Sequence, residues 1–215
     1  MIETWIADIR YLQDRNCFEK HYDSLPKWRK EKADRLKIPL KKAQSVGVWI
    51  LWQEIQKKYQ LEKSEVFNLS HAGDYVLCSA DLNQQEGVQI GCDIEEVKPV
   101  NLGVAERFFC PKEYERIMAE DTPAKRMETF YRFWVLKESF LKATKRGFGL
   151  NPRSFEIALA TPPILLQQPE EFTAKYYYRE YELSEIPYKM AVCATNPRIA
   201  QEINREFIDV LETIC

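Results

Sequence analysis

The chain has 215 residues, of which 45% are hydrophobic and 30% charged, a composition typical of a globular protein with a buried core. Its net charge of −2 argues against a generally basic nucleic-acid binder, and no stretch approaches the roughly 18 apolar residues of a membrane span. The amino terminus lacks a signal-peptide pattern, and four of the six cysteines lie in apolar or aromatic surroundings that suit buried thiols in a reducing compartment. We therefore predict a cytoplasmic protein with no nucleic-acid or membrane partner.

The predicted elements follow the order strand, helices, hairpin, and this order occurs twice. The first set comprises a strand at residues 4–9, helices at 26–37 and 39–59, and strands at 66–70 and 75–80. The second set comprises a strand at 88–97, helices at 104–109, 111–119 and 124–145, and strands at 155–159, 172–181 and 188–195. A final helix is predicted at 199–211.

Two short sequence echoes suggest that this repetition is an internal duplication. Residues 6–9 resemble residues 91–94, and residues 75–80 resemble residues 190–194, although matches this short also arise by chance. We predict an α+β fold with two similar halves, residues 1–90 and 91–215, related by pseudo-two-fold symmetry. A cleft between such halves is the natural place for a ligand.

Glu138 lies where a predicted amphipathic helix should carry an apolar side chain. At about 100° per residue, one side of the helix at 124–145 carries apolar side chains at Met127, Phe130, Tyr131, Trp134 and Leu141. Glu138 falls in the middle of that side. A carboxylate facing the core costs several kcal/mol unless something compensates its charge. A lysine, a raised pKa or a metal ion could do so.

Two further carboxylates, those of Asp93 and Glu95, project from one face of the strand at 88–97. They could simply lie at an exposed strand edge. Ionised together they repel each other, so a cation between them is the alternative, and with Glu138 they could form an oxygen site for Mg²⁺. Lys142 lies one turn after Glu138, either as an ordinary helix ion pair or facing a polyphosphate.

Basic residues and a histidine suggest a phosphate site elsewhere in the chain. Eight lysines and arginines fall between Lys27 and Lys42, which indicates either a solvated helix face or a local anion site. His71 follows Ser70 at the end of a predicted strand, as a structural histidine or as a phosphate ligand. Because adjacent strand side chains point to opposite faces, the two residues make a poor nucleophile–base pair.

In their order and spacing these motifs resemble the 4′-phosphopantetheinyl transferases, in the pseudo-dimeric class typified by the surfactin-synthetase-activating enzyme. Residues 91–95 resemble the motif G-x-D-x-E, and residues 134–142 resemble W-x-x-K-E-x-x-x-K. Residues 107–113 and 188–192 fit as well. Family members usually carry a G-K-P element, associated with the adenine pocket, before the F-N-x-S-H strand. Here residues 59–67 run almost directly into that strand, so the resemblance names no adenine contact.

The resemblance implies transfer of the phosphopantetheine arm of coenzyme A to a serine of an apo acyl or peptidyl carrier protein, with release of adenosine 3′,5′-bisphosphate. It implies Asp93, Glu95 and Glu138 as ligands of Mg²⁺. Glu138, or a water that it orients, would deprotonate the serine. Lys142 would neutralise charge on the leaving oxygen and contact coenzyme A.

The implied contacts to coenzyme A come from both regions of the chain. Ser70, His71, Arg29 and Lys32 would contact the 3′-phosphate, and Lys137 would hold the pyrophosphate or the position of Glu138. The resemblance also implies a monomer that serves fatty-acid, polyketide or nonribosomal peptide synthesis. Two rival functions remain open from sequence: another Mg²⁺-dependent phosphoanhydride hydrolase, and a non-catalytic homologue that binds carrier proteins.

Overall fold

The computed structural model describes residues 1–61 and 66–208. The described helices are α1 (Arg15–Ser24), α2 (Lys27–Asp34), α3 (Pro39–Tyr59), α4 (Gly103–Phe108), α5 (Pro111–Met118) and α6 (Pro123–Ala143). The described strands are β1 (Ile2–Asp8), β2 (Phe67–Ala72), β3 (Tyr75–Asp81), β4 (Ile90–Glu96), β5 (Glu156–Ala158), β6 (Ile164–Gln167), β7 (Tyr177–Tyr181) and β8 (Tyr188–Ala194). The predicted α+β class is confirmed.

Two antiparallel sheets share one topology. The first has the strand order β1-β3-β2 and the second has the order β4-β8-β7, while β5 and β6 form a small separate pair. In each large sheet the opening strand of the half pairs with the second strand of the following hairpin. The repeated order supports the predicted duplication. The symmetry axis stays a prediction, and so does the division between residues 90 and 91, which falls after the first residue of β4.

The sequence echoes lie on corresponding strands, but their registers differ by one residue. Cys78 pairs with Trp5, and Cys193 pairs with Gly91. If the two cysteines are taken as equivalent, their strand pairing makes Trp5 equivalent to Gly91. The first sequence echo instead aligns Ile6 with Gly91. The two halves share strand order more closely than they share residues.

Each large sheet packs against one long helix of 21 residues. Val46, Trp52 and Ile55 of α3 are buried in a core that includes the first sheet. Both helices open with proline at their first position, where the missing N–H costs no hydrogen bond. Thr122 caps α6, since its hydroxyl accepts a hydrogen bond from the Lys125 amide at 3.2 Å. None of the described helices is long and apolar enough to cross a membrane.

The predicted final helix is wrong for residues 199–208, and residues 209–211 lie outside the described part. This segment runs along β1, where the Ala200 amide donates to the Ile2 carbonyl at 2.9 Å and the Asn204 amide donates to the Thr4 carbonyl at 2.8 Å. The segment therefore satisfies polar groups on the edge of β1 that β3 leaves free. The requirement to pair those buried groups overrides the helical periodicity of the segment.

Other differences concern α1 and β6, which the sequence does not predict, and the surroundings of α6. The predicted apolar side of α6 is only partly buried, because Met127 and Trp134 keep solvent contact. The opposite side is also buried, including Phe133 and Phe140. The helix lies between the second sheet and the segment formed by α4, α5 and β5, so it has no fully solvated face along its second half.

Gly91 permits an unusually close approach of α6 to β4. A Cβ atom at this position would lie 2.0 Å from the Ser139 carbonyl oxygen and 2.3 Å from the Ala143 amide nitrogen. Backbone atoms cannot move aside as a flexible side chain can. Any larger residue would therefore push the helix away from the strand.

We expect Gly91→Ala to lower the free energy of unfolding by about 3 kcal/mol, because overpacking against backbone forces the helix to shift. Urea denaturation followed by circular dichroism measures the change. Gly149→Ala is the matched control, since a Cβ at Gly149 meets nothing within 4 Å. Equal stability of the two variants would contradict the close-approach argument.

Candidate active site

The two predicted motifs meet at the contact between β4 and α6. Lys142 reaches from α6 to β4, with its Nζ atom 2.7 Å from Asp93 Oδ1 and 3.0 Å from the Cys92 carbonyl oxygen. The Asp93 side chain is 5% exposed, whereas Lys142 keeps 28% of its side chain in solvent. Glu95 and Glu138 are half-buried. A charged cluster thus lies at the surface of an otherwise apolar core.

Strand β2 of the first half contributes to the same cluster. The Ser70 hydroxyl donates to Asp93 Oδ1 at 2.9 Å and accepts from Lys142 Nζ at 2.8 Å. Asn68 Oδ1 accepts the Cys92 amide at 3.0 Å, which ties β2 to β4. Residues of both predicted halves therefore build one hydrogen-bonded network.

Mutual repulsion and burial perturb the carboxylates of this cluster. Burial, and then the charge of Asp93, raises the pKa of Glu95 to about 7. The same two causes raise the pKa of Glu138 to about 7. Burial opposes the charge of Lys142, but Asp93 and its other neighbours outweigh this effect and raise the pKa of the lysine. Nearby positive charge therefore stabilises this site, and one lysine supplies only part of it.

The donor set fits a divalent cation. Asp93 Oδ2 is buried and has no hydrogen-bond partner among the described residues, so this oxygen is available to a ligand. Mg²⁺ is a hard cation that binds carboxylate oxygens, and its charge would offset the repulsion between these carboxylates. In residues 1–61 and 66–208, however, no three His, Cys, Asp or Glu side chains are already gathered in a metal-binding group. The role of Asp93, Glu95 and Glu138 as metal ligands stays a prediction.

A second cluster is cationic and surrounds His71. Surrounding protein, and then the charges of Lys41 and Lys142, lower the pKa of His71 to about 4, although its side chain remains exposed. The charge of Arg29 also lowers the pKa of His71. Burial is the main cause of the lowered pKa of Lys32, and the charge of Arg29 is the second cause. Neither Arg29, Lys32 nor Lys41 forms an ion pair with any described residue. Such unpaired cations are suited to an anion.

Arg29 is the buried member of this cluster. Its residue is only 5% exposed, its Nη2 atom donates to the Ser45 carbonyl oxygen at 2.8 Å, and burial lowers its pKa. Its Nε atom is buried and has no partner in the described chain. Arg29 therefore holds a charge that the described protein compensates poorly.

Ser70 and His71 point in opposite directions, as predicted for adjacent strand residues. The structure places the Ser70 hydroxyl with Asp93 and Lys142, whereas His71 is exposed and shares the cations of α2 and α3. The predicted contact of Ser70 with a 3′-phosphate stays a prediction, and its observed partners favour a place beside the carboxylates.

Of the two predicted roles of Lys137, its contacts favour holding the position of Glu138 over holding the pyrophosphate. This lysine is 3% exposed, and its Nζ atom lies 2.9 Å from Glu113 Oε2. It also donates to the carbonyl oxygens of Pro152 at 2.7 Å and Phe155 at 2.8 Å. All three ammonium donors therefore have partners inside the protein. Lys137 fastens α6 to α5 and to the chain before β5.

We expect Lys137→Met to lower the free energy of unfolding by about 3 to 5 kcal/mol, because the Glu113 carboxylate is then buried without its partner. Urea denaturation measures this loss. Arg15→Met removes the exposed Arg15–Glu19 pair and should cost less than about 0.5 kcal/mol. Unchanged stability of Lys137→Met together with a raised KM for coenzyme A would restore the predicted binding role.

Three residues of this region lie within the sequence motifs, but the sequence analysis assigns no role to any of them. Asn68 accepts a hydrogen bond from β4, Gly91 leaves room for the backbone of α6, and Glu113 forms an ion pair with Lys137. An asparagine within a strand is a weak signal, since strands disfavour it. No local pattern indicates Glu113, because its partner lies 24 positions later and meets it only in the folded chain.

Comparison with known proteins identifies the class. Residues 89–193 match the family model of the 4′-phosphopantetheinyl transferase superfamily. The chain is 33% identical to 4′-phosphopantetheinyl transferase Sfp of Bacillus subtilis over 168 residues, which cover 69% of this chain and 72% of that protein. It is 36% identical to 4′-phosphopantetheinyl transferase psf-1 of Bacillus pumilus over 138 residues, which cover 64% of this chain and 56% of that protein.

The chain therefore belongs to the 4′-phosphopantetheinyl transferase superfamily. Within it, the chain is similar to the Sfp-like transferases of Bacillus, which confirms the resemblance found in the sequence. The match to the solved structure of Thermotoga maritima holo-[acyl-carrier-protein] synthase has 21% sequence identity and a TM-score of 0.42. It covers 49% of this chain and 61% of the synthase chain. The sequence matches alone carry the assignment.

Proposed function

We propose that this protein transfers the phosphopantetheine arm of coenzyme A to a serine of apo acyl or peptidyl carrier proteins. The observation that carries the proposal is the network of Asp93, Lys142 and Ser70, which joins two motifs and both halves of the chain. Glu95 and Glu138 adjoin it, and the cations around His71 extend it. Coenzyme A carries both a pyrophosphate and a 3′-phosphate, so one substrate could use both clusters.

Asp93, Glu95 and Glu138 would hold Mg²⁺, which when bound would neutralise charge on the pyrophosphate. The buried, unpartnered Asp93 Oδ2 supports this assignment. Lys142 keeps 28% of its side chain in solvent, so its ammonium could exchange one of its three present acceptors for a substrate phosphate. The site would then lie between the two halves, as predicted from the sequence.

The residues divide the reaction among them. The hydroxyl oxygen of the carrier serine forms a bond to the phosphorus of the phosphopantetheine arm. Glu138, directly or through a water, accepts the proton of that hydroxyl. The bond from that phosphorus to the bridging oxygen breaks, and Lys142 stabilises the negative charge of the departing adenosine 3′,5′-bisphosphate. His71, Arg29 and Lys32 hold its 3′-phosphate. We further propose that the enzyme acts as a cytoplasmic monomer, as the sequence predicts.

Intact-mass measurement tests the function directly. Incubated with coenzyme A and Mg²⁺, an apo carrier protein should gain the mass of one phosphopantetheine group, and chelation with EDTA should abolish the gain until Mg²⁺ is restored. Coenzyme A breakdown without any carrier would instead favour the phosphoanhydride hydrolase. Carrier binding in calorimetry without transfer, across carriers of several pathways, would favour the non-catalytic homologue.

We expect Glu138→Ala to lower kcat at least 10²-fold, since this residue would combine metal binding with general-base catalysis. Steady-state transfer assays with a fixed carrier measure the loss. Glu19→Gln on α1 is the control, because that carboxylate is exposed and pairs only with Arg15 in the described chain. Activity of Glu138→Ala within a few-fold of the wild type would refute the assignment.

The role of His71 in binding the 3′-phosphate is tested by removing the imidazole, in His71→Ala, or the phosphate, in dephospho-coenzyme A. We expect His71→Ala to raise the KM for coenzyme A about tenfold with little change in kcat, since a charge-assisted hydrogen bond contributes about 1.5 kcal/mol. Dephospho-coenzyme A should also have a raised KM with the wild type, but His71→Ala should use it as well as the wild type does. Additive losses would show that His71 does not meet this phosphate.

A further inference from the structure

Trp28 is the most exposed tryptophan in residues 1–61 and 66–208, with 52% of its surface in solvent. A large aromatic side chain in water forgoes stabilisation that burial would give. Ile38 is comparably exposed, but the Trp28 ring lies beside the guanidinium of Arg29, the buried cation described above. The position of Trp28 therefore suggests a ligand.

The ring of Trp28 is held in place from one side. It meets the ring of Trp49 edge to face, with centroids 4.8 Å apart and planes at 81°. The guanidinium carbon of Arg29 lies 5.9 Å from the Trp28 ring centroid and 5.2 Å from that of Trp49. An aromatic surface fixed by its neighbours loses little conformational entropy when a second ring stacks on it.

Unsatisfied hydrogen-bond donors lie beside the same ring. Arg29 Nε and Trp49 Nε1 are both buried without a partner among the described residues. Lys32 follows Trp28 by one helical turn on the same side of α2 and, like Arg29, lacks an ion-pair partner in the described part. Aromatic surface, free donors and unpaired cations together match a ligand that has a flat ring, acceptor atoms and negative charge.

We propose that Trp28 is the stacking surface for the adenine base of coenzyme A. This inference rests on the proposed function, and it adds a residue that determines how the nucleotide is held. The adenine and the 3′-phosphate share one ribose, so a phosphate among Arg29, Lys32 and His71 brings the base to their immediate surroundings.

Calorimetric binding of two ligands tests this inference without carrier or metal. Adenosine 3′,5′-bisphosphate carries the base, and ribose 3,5-bisphosphate lacks it. We expect Trp28→Ala to weaken the adenosine ligand about tenfold, as loss of one stacked base does, and to leave the ribose ligand unchanged. Trp28→Phe retains a ring and should stay within about threefold of the wild type for both ligands.

Two controls make the outcome decisive. Ile38→Ala, at another exposed apolar residue, should not alter either affinity. Lys32→Ala should weaken both ligands alike, because it removes charge and not ring surface. Equal binding of adenosine 3′,5′-bisphosphate by Trp28→Ala and the wild type overturns the inference. So does equal weakening of both ligands, which would mean that Trp28 only supports Arg29.

The transfer assay separates this inference from the proposed function. If the wild type transfers phosphopantetheine and Trp28→Ala keeps an unchanged KM for coenzyme A, only the role of Trp28 fails. If the wild type neither transfers phosphopantetheine nor binds adenosine 3′,5′-bisphosphate, the proposed function and this inference fail together. Thermal melting of each variant checks that the exposed substitution preserves the fold.

Discussion

The close contact of α6 with β4 at Gly91 is the constraint on which the candidate site depends. Because Gly91 has no side chain, the helix backbone lies directly against the strand. Lys142 then reaches Asp93 and the carbonyl oxygen of Cys92 across a single side-chain length. If the helix lay even slightly farther from the strand, Glu138 and Lys142 on α6 would be separated from Asp93 and Glu95 on β4. The glycine of the first motif therefore serves the second motif.

Two lysines of α6, five positions apart, illustrate how surroundings decide the role of a residue type. Lys137 is sealed in the protein by Glu113 and two carbonyl oxygens, and it anchors the helix. Lys142 has as many acceptors but retains solvent contact, and its carboxylate partner keeps an unsatisfied oxygen. The first arrangement is complete without a ligand. The second is not, which is the expected state of a binding site.

Local signals predict most of the elements, and long-range contacts account for the errors. The boundaries of α3 are predicted from Pro39 and from the loss of periodicity near Tyr59, both of which are local. The segment at 199–208 has helical periodicity, yet it lies along β1 because that strand offers unpaired backbone groups nearly 200 residues earlier in the chain. Likewise the unusual position of Glu138 is visible in the helical pattern, whereas the partner of Lys137 is not, because Glu113 is distant in sequence.

The pairing of residues 198–208 with β1 has a consequence for how the chain folds as it is synthesised. The amide of Ile2 donates to the carbonyl of Arg198, so the first strand receives part of its hydrogen bonding from residues that are synthesised nearly 200 positions after it. Until then the outer edge of β1 is open to other strands. The first half can collapse early, but the outer edge of its sheet is covered only after residues 198–208 have been synthesised.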